Sequence, residues 1–479
     1  MRRVFIFLLL CFPRILPAQD TILYRAETFA SIAAGDYTPF WITSNTFGVV
    51  PLKPNNAYLR GNALYTHSFY EKLQVEAGVD LLTAARHTSK VWANQLFAGA
   101  SYKNIKIIVG TKNYYNSFLD RELSVGDMCF SSNARPIPEV LISIPEYITL
   151  PYTKKYLNFK GDFAVGKSME DDYIIRTKNS TANYTTGVLY HHKSLFIKLA
   201  KPVAEAPFAF TAGLVHSAQW GGVYYGNTDV NKHPVGFDDF LRILMCSSGN
   251  SKAGIGDRIN VLGNHLGTIN ARLDWKKEKF EAAIYKQHLF DDNSGLEYAN
   301  WRDGIWGGEV HFSKFKYIEK VIVEYLNTTH QSGPLHFIDY DKRDKYRGGG
   351  ADDYYNNYSY NGWSYFGRGI GNPLLTSPEY NQNGELKFKN TRVKSLHLGF
   401  KGKFSEEMTY RVLLTGMYGW GRMAVPFFER QDNVSVLVEC NYSSEVWKGW
   451  IVGIQAATDN GSLYGNNYGC SLKIAYNRL

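Results

Sequence analysis

The last stretch of the chain, residues 466–476, alternates strictly between two kinds of side chain. One face of an extended strand would carry Tyr468, Cys470, Leu472, Ile474 and Tyr476, and the other Gly469, Ser471, Lys473 and Ala475. This period of two predicts a half-buried strand. A strand so close to the C-terminus leaves an open edge unless another strand pairs with it. In a transmembrane barrel the first strand supplies that partner, and the apolar face meets lipid.

The same stretch resembles the C-terminal signal by which outer-membrane barrels are recognised for assembly. The resemblance lies in Gly469, Leu472, Ile474 and Tyr476. That signal usually ends on its aromatic residue, whereas three residues, 477–479, follow here. The resemblance implies that the outer-membrane barrel assembly machinery and outer-membrane lipid are partners of this chain.

The first 18 residues have the features of a secretory signal peptide. Arg2 and Arg3 precede a short apolar run, and the small residue Ala18 precedes the expected cut. The run is too short to cross a bilayer as a helix. Cys11 follows Leu10 rather than a small residue, so we do not expect it to carry a lipid. The prediction is a signal peptide over residues 1–18 and one barrel domain over 19–479.

Composition supports a barrel and argues against a nucleic-acid partner. The chain has 34 Tyr, 28 Phe, 10 Trp and 43 Gly, although its mean hydropathy is slightly negative. Aromatic girdles around a polar lumen give this mixture. Removing Arg2, Arg3 and Arg14 from the 53 basic residues leaves 50 against 44 acidic ones. This excess is spread along the chain, without the basic run of a nucleic-acid footprint.

Alternating segments along the chain predict an antiparallel β-barrel of 18 strands, with 16 as an alternative. The expected strands cover residues 23–34, 57–68, 73–83, 93–102, 105–112, 156–165, 184–191, 195–201, 208–216, 263–275, 280–289, 305–312, 317–328, 392–404, 409–418, 434–442, 447–458 and 466–476. In 263–275, Ile269 and Leu273 should face lipid while Arg272 and Asp274 face the lumen. In 317–328, Glu324 should face the lumen.

Four segments interrupt this meander: residues 36–56, 113–156, 219–263 and 331–390. Prolines exclude central-strand pairing in the first two. We expect 36–56 to be folded inward or to form a periplasmic plug, and 113–156 to be a long loop folded into or over the barrel. Residues 236–246 have helical spacing. Together these segments predict an occluded lumen.

With these features in view, the chain resembles the Wzi family of outer-membrane capsule-assembly proteins. The resemblance rests on residues 30–47 with Pro39-Phe40-Trp41, on residues 133–138, and on residues 213–222 with His216, Gln219 and Trp220. It implies an 18-stranded barrel, closed by loops outside and helical elements inside, that binds capsular polysaccharide as a lectin rather than an enzyme.

Sugar binding requires aromatic faces and planar polar groups. Residues 346–380 are rich in such side chains, and residues in the other interruptions could join them. The candidate polysaccharide-binding residues are Arg135, His216, Gln219, Trp220, Tyr354, Tyr355, Tyr358, Trp363, Tyr365 and Arg368. For any single tyrosine, a place in the interfacial girdle is the competing interpretation. For Arg135, His216 and Trp220 it is packing within a plug.

Other motifs do not indicate catalysis, a cofactor or a metal. Residues 161–168 satisfy the P-loop pattern, but they continue an alternating strand, so we reject nucleotide binding. His191-His192 is expected at an exposed hairpin turn. The cysteines that survive cleavage are Cys129, Cys246, Cys440 and Cys470; we interpret them as structural, with a Cys129–Cys246 bridge as one alternative.

The leading hypothesis is a non-enzymatic, monomeric outer-membrane barrel that retains capsular or other surface polysaccharide. The alternative is a porin for sugars or other solutes. The third is an outer-membrane glycan hydrolase, which would need two carboxyl groups facing each other across a sugar.

Overall fold

The computed structural model describes residues 19–70, 72–201, 207–251, 253–254, 257–258, 261–334, 337–339, 346–348 and 351–478. The predicted signal peptide, residues 1–18, lies outside the described residues. None of the described helices is long and apolar enough to cross a membrane.

Eighteen antiparallel strands form one closed sheet. They are β1 (Gln19–Ala34), β2 (Ala57–Tyr70), β3 (Leu73–Ala85), β4 (Val91–Tyr102), β5 (Ile105–Thr111), β6 (Pro138–Thr149), β7 (Leu157–Lys167), β9 (Leu189–Ala200), β10 (Phe208–Trp220), β13 (Asn264–Lys276), β14 (Phe280–Phe290), β15 (Gly304–Phe312), β16 (Lys320–Asn327), β21 (Val393–Lys403), β22 (Met408–Gly421), β23 (Pro426–Tyr442), β24 (Trp450–Asn460) and β25 (Asn467–Arg478). The predicted barrel and its number of strands are confirmed.

The barrel closes between its first and last strands. β1 pairs with β2 on one side and with β25 on the other, in a register that joins Tyr24 to Arg478 and Ala34 to Tyr468. Within β25, Leu472 is exposed on the outer face and Ser471 is buried on the inner one. The alternation of the closing strand therefore sets both its pairing and its two faces, as predicted.

The outer surface of the wall is apolar and the inner surface polar. Large hydrophobic side chains stand exposed around the barrel, for example Leu96, Ile284, Val323 and Ile454. Glu324 is buried inside, between Val323 and Tyr325, which face outward. Such a belt on a closed barrel is the surface that contacts lipid.

Long connections lie at one end of the barrel and short ones at the other. Gln19, the first residue of β1, and Arg478, the last residue of β25, lie at the same end of the barrel as short turns such as 103–104 and 277–279. We call this end the turn end. The segments 35–56, 112–137, 168–188, 221–263 and 328–392 all leave the opposite, or loop, end. Outer-membrane barrels place their long loops outside the cell. The segment 36–56 therefore belongs to the extracellular end, and its interpretation as a periplasmic plug is wrong.

Short helices and short strands lie in the connections at the loop end. The helices are α1 (Phe40–Thr43), α2 (Asp171–Thr177), α3 (Phe237–Leu244), a helical turn Asn293–Leu296 and a 3-10 turn Pro378–Tyr380. The short strands are β8 (Tyr184–Thr186), β11 (Val223–Tyr225), β12 (Val230–Lys232), β17 (Phe337–Asp339), β18 (Tyr346–Gly348), β19 (Ser364–Tyr365) and β20 (Arg368–Gly369). The helix predicted within 236–246 is confirmed by α3.

Two strand predictions are wrong: one wall strand was missed, and one strand too many was predicted elsewhere. The two errors cancel in the number of strands. Residues 138–149, expected in a loop, form wall strand β6. Pro138 is its first residue, and Pro145 lies where the pairing with β7 shifts register, between Ile144 and Ile148. Both are positions where a strand tolerates proline. Conversely, the two strands expected at 184–191 and 195–201 are mainly one, β9.

His191 and His192 are therefore not at a hairpin turn. Both are buried in β9. His192 faces the lumen, where its Nε2 lies 3.1 Å from Glu139 and its Nδ1 lies 3.2 Å from Asp162. The four described cysteines are all free, so the Cys129–Cys246 bridge is not formed.

Candidate functional site

Three segments from the loop end fold into the barrel and fill it; we call residues 35–56, 112–137 and 351–392 the plug. Their apolar side chains join inward-facing wall residues in one buried cluster, which includes Phe40, Leu123, Met128, Trp363 and Leu374. A lumen filled in this way has a hydrophobic core like that of a soluble domain. The predicted occlusion is thereby explained by named contacts.

The segment 112–137 is anchored on a buried carboxylate of the wall. Glu324 in β16 accepts hydrogen bonds from Ser124 Oγ and Val125 N, each at 2.8 Å, and from Tyr285 Oη at 2.6 Å. Deeper in the barrel, Asp120 pairs with Lys320, the first residue of β16 at the turn end, at 2.9 Å. This segment therefore descends through the lumen almost to the turn end.

The other two plug segments are joined by Arg368. Its guanidinium donates to Glu379 Oε2, to Thr43 O and to Val50 O, each at 2.7 Å. Trp363 Nε1 donates to Cys129 O at 2.8 Å, which joins the third segment to the second. The plug is one hydrogen-bonded unit because each segment is bonded to another.

The turn end retains open, charged space below the plug. One chamber of about 600 Å³ is lined by Lys198, Arg272, Glu309 and Lys320, with Asp120 at its upper wall. A second, of about 380 Å³, is lined by charged residues of β1, β2, β22, β23 and β25 together with Arg121. Charged lumen residues are thus accommodated in polar surroundings, as a wet lumen requires.

Nine of the ten candidate sugar-binding residues are buried: Arg135, His216, Gln219, Trp220, Tyr354, Tyr355, Trp363, Tyr365 and Arg368. Seven of them lie in the interior of the barrel, whereas His216 and Trp220 lie on the outer face of β10, covered by α3. Tyr354 Oη donates to Asp303 at 3.0 Å, and Tyr355 Oη donates to Met128 O at 2.5 Å. Gln219 Nε2 donates to Tyr190 Oη and to Gly362 O. These contacts give Tyr354, Tyr355 and Gln219 hydrogen-bond partners within the protein.

Arg135 is held between two rings. Its guanidinium carbon lies 4.5 Å from the Trp92 ring centroid and 4.4 Å from that of Phe366. Burial lowers the pKa of Arg135 to about 10, so it remains charged at neutral pH. Burial and the Arg135 charge lower the pKa of the adjacent His87 to about 3, which keeps that imidazole neutral.

Tyr358 alone among the ten is exposed, at 81%. Its ring lies 6.4 Å from that of Tyr224 and nearly parallel to it. Tyr224 belongs to a three-stranded sheet, β8–β11–β12, at the loop end. On that sheet Tyr184 and Tyr225 stack at 4.9 Å, and Lys178 Nζ lies 4.7 Å above the Tyr184 ring.

We call the group Tyr184, Tyr224, Tyr225, Tyr358 and Lys178 the aromatic face of the loop end. It spans both sides of the small sheet, because neighbouring strand residues point to opposite sides: Tyr184 and Tyr225 lie on one side, and the buried Tyr224, with Tyr358 beside it, on the other. The exposed residues 227–232 beside it include Asn231 and Lys232. Sequence reasoning missed the β8–β11–β12 part of this face, because these strands are too short for an alternation to show. The Tyr224-Tyr225 pair within a long loop was the available signal.

A closed barrel with an apolar belt, an internal plug and long loops at one end defines an outer-membrane β-barrel protein. The family model for the capsule assembly protein Wzi matches residues 47–376. The chain belongs to this family.

A solved structure agrees on the fold. The outer-membrane protein Wzi of Escherichia coli, described as involved in group 1 capsule assembly and as a carbohydrate-binding β-barrel, is 11% identical with a TM-score of 0.59, over 94% of this chain and 83% of that chain. OccK5 of Pseudomonas aeruginosa is 10% identical with a TM-score of 0.47, over 96% of this chain and 97% of that chain. A comparison with curated protein sequences finds no match.

Proposed function

We propose that this protein binds and retains capsular or other surface polysaccharide at the loop end, as a monomeric lectin-like barrel without catalytic activity. The observation that carries the proposal is the aromatic face, with Tyr358 81% exposed, above a lumen filled by the plug. Family membership supports it, and so does the carbohydrate binding described for the E. coli structure.

The aromatic face has the chemistry that sugar rings require. Tyrosine rings present apolar surfaces to the C–H faces of a sugar, while their hydroxyl groups and nearby amides bond its hydroxyls. Lys178, Lys232 and the exposed Arg176 would favour an acidic polymer. Each contact would be weak, and a long polymer would be retained because many of its repeats are offered to the same face.

A plugged lumen argues against the porin alternative. The three plug segments place buried apolar side chains across the barrel, so solute passage would require the plug to move. Purified protein in planar bilayers should therefore be nearly silent, and steady large currents would contradict the proposal. A hydrolase would shorten added polysaccharide, whereas we expect the polymer to stay intact.

Affinity electrophoresis through a gel containing the polysaccharide tests the binding surface. Tyr358→Ala and Tyr225→Ala should each weaken binding by about tenfold, or ~1.4 kcal/mol, for the loss of one stacking ring. The control is Tyr152→Ala, because Tyr152 is an exposed tyrosine like Tyr358 but lies in the turn between β6 and β7, at the opposite end. Equal retardation of all three variants and the unaltered protein would refute this assignment.

A further inference from the structure

A second cluster of functional side chains lies on the outside of the wall, near the loop end. In β10, Phe208, Phe210 and Leu214 are exposed on the outer face, so His216, two residues after Leu214, is directed outward as well. His265 in β13 is paired with Ala218 of β10, which shares that outward parity. His191 in β9 is paired with the same alanine. Three imidazoles therefore lie on the outer face of adjacent strands.

Helix α3 and the two residues after it, Met245 and Cys246, cover these histidines. Phe240 packs against Trp220 at 5.6 Å, and Ile243 and Leu262 are buried in the same small apolar cluster. Cys246, two residues beyond the helix, has a φ of +50°, a conformation that non-glycine residues rarely adopt. The conformation brings its Sγ to 3.2 Å from His216 Nε2.

Three potential ligand atoms converge at this point. His216 Nε2 lies 2.8 Å from His265 Nδ1 and 3.2 Å from Cys246 Sγ. One ligand atom from each residue lies within 4.8 Å of the other two. His216 and His265 are 2% and 4% exposed. A tetrahedral zinc ion would hold two nitrogens about 3.3 Å apart and a nitrogen and a sulfur about 3.6 Å apart, so the cluster needs to open by only about 0.5 Å.

The hydrogen bonds of His265 and His191 leave a lone pair on one ring nitrogen of each. His265 Nε2 lies 2.7 Å from Leu262 O, a contact that requires its proton on Nε2 and leaves the Nδ1 lone pair toward His216. His191 Nδ1 lies 2.8 Å from Ala164 O, which in the same way leaves a lone pair on Nε2. That Nε2 is buried and has no hydrogen-bond partner among the described residues. Backbone carbonyls fix metal-binding histidines in this manner.

From this geometry we propose a transition-metal site, of the class that takes Zn²⁺, with His216, His265 and Cys246 as ligands. His191, whose ring centroid lies 6.0 Å from that of His216, stands beside the fourth position. Imidazole and thiolate ligands favour zinc over hard cations such as calcium and magnesium. Cys246 loses its thiol proton when the ion binds. Sequence spacing did not reveal this site because the ligands come from two wall strands and a loop.

The ion would fasten α3 to the outer wall. The other side of α3 exposes Phe237, Leu241 and Met245, which continue the apolar surface of the barrel toward the loop end. A helix with this pattern lies at a membrane interface. Metal binding would therefore fix the position of an interfacial helix and of the loop 221–263 that also carries β11 and β12 of the aromatic face.

The test uses full-length protein purified without a polyhistidine tag, treated with a chelator and then titrated with Zn²⁺ alone. We expect one tightly bound ion per chain and an intense thiolate-to-metal absorption when Co²⁺ replaces Zn²⁺. Cys246→Ser should abolish that absorption, and His216→Gln should weaken Zn²⁺ binding by at least about 100-fold. Cys440→Ser is the control, because Cys440 is a free cysteine of β23 outside the cluster.

A second measurement needs no variant. In the unaltered protein, Zn²⁺ should slow alkylation of Cys246, identified by peptide mapping, and leave the rate at Cys440 unchanged. The proposal is overturned if Zn²⁺ binding does not saturate, if the Cys246→Ser and His216→Gln variants bind as tightly as the unaltered protein, or if alkylation of Cys246 is indifferent to the ion.

Discussion

Replacing Arg368 by methionine should open the plug while leaving the wall intact. Arg368 is 7% exposed and donates to Glu379 and to two backbone carbonyls, Thr43 O and Val50 O, each at 2.7 Å. Methionine fills a similar volume but leaves the Glu379 carboxylate and both carbonyls without this donor. Breaking one side of a buried ion pair costs about 3–5 kcal/mol. A cost of that size shifts a closed-to-open equilibrium of the plug by roughly 10²- to nearly 10⁴-fold.

Single-channel recording and limited proteolysis measure this shift directly. The unaltered protein should be quiet in planar bilayers, and Arg368→Met should show frequent openings together with faster cleavage within 351–392. Arg430→Met is the control, since Arg430 is exposed and contacts the Tyr418 ring at 4.1 Å; it should change neither measurement. A variant Arg368→Met that is as quiet and as protease-resistant as the unaltered protein would refute the plug account. If that variant instead loses polysaccharide binding with its plug closed, Arg368 contacts the polymer.

Two further substitutions test the packing of the loop end. Burial raises the pKa of Glu170 from 4.5 to about 8, so the protonated carboxyl is favoured in the folded state; its stabilising contribution is complete below pH 4.5 and is lost as the pH rises through about 8. Glu170→Gln still accepts from Phe366 N and should remove this loss, which is about 5 kcal/mol, in thermal melts followed by circular dichroism. Parallel pH profiles of the variant and the unaltered protein would contradict this prediction. Glu324→Ala should remove the acceptor of Ser124 Oγ and Val125 N, at a cost of about 3 kcal/mol, and should speed proteolysis of segment 112–137. The control Glu319→Ala, at the turn end, should not change this rate. Equal cleavage rates in the two variants would exclude this anchor.

The barrel could be predicted from the sequence because its wall obeys a local rule. The alternation of apolar outward residues such as Val323 and Leu472 with polar inward residues such as Glu324 and Ser471 can be recognised in a short window of the sequence. The exceptions have long-range causes. β6 was missed because Pro145 interrupts it at a shift in register, and sequence does not show that β7 pairs on both sides of that shift.

His191 and His192 were misplaced for a related reason. Two adjacent histidines suggest an exposed turn, but His192 is buried beside Glu139 and Asp162, which come from two other strands. The meeting of these three side chains depends on the pairing of β6 with β7 and of β7 with β9, which no local pattern around the two histidines encodes.

The candidate sugar-binding residues show the same limit. Composition pointed to aromatic residues of the loop end, yet it could not separate buried rings from exposed rings. Trp363 is buried and donates a hydrogen bond to Cys129 O, 234 positions away in sequence. Tyr358, only five positions before Trp363, is exposed. The ring partner of Tyr358 is Tyr224 on β11, which comes from a different loop that sequence alone could not bring together with it.

Retention of polysaccharide by cells is the most direct test of the function proposed here. Cells without the gene should release polysaccharide into the medium, and the unaltered protein should restore the attached fraction, while a Tyr225→Ala, Tyr358→Ala double variant present at equal surface level should not. Attachment that is unchanged by deleting the gene would contradict the account.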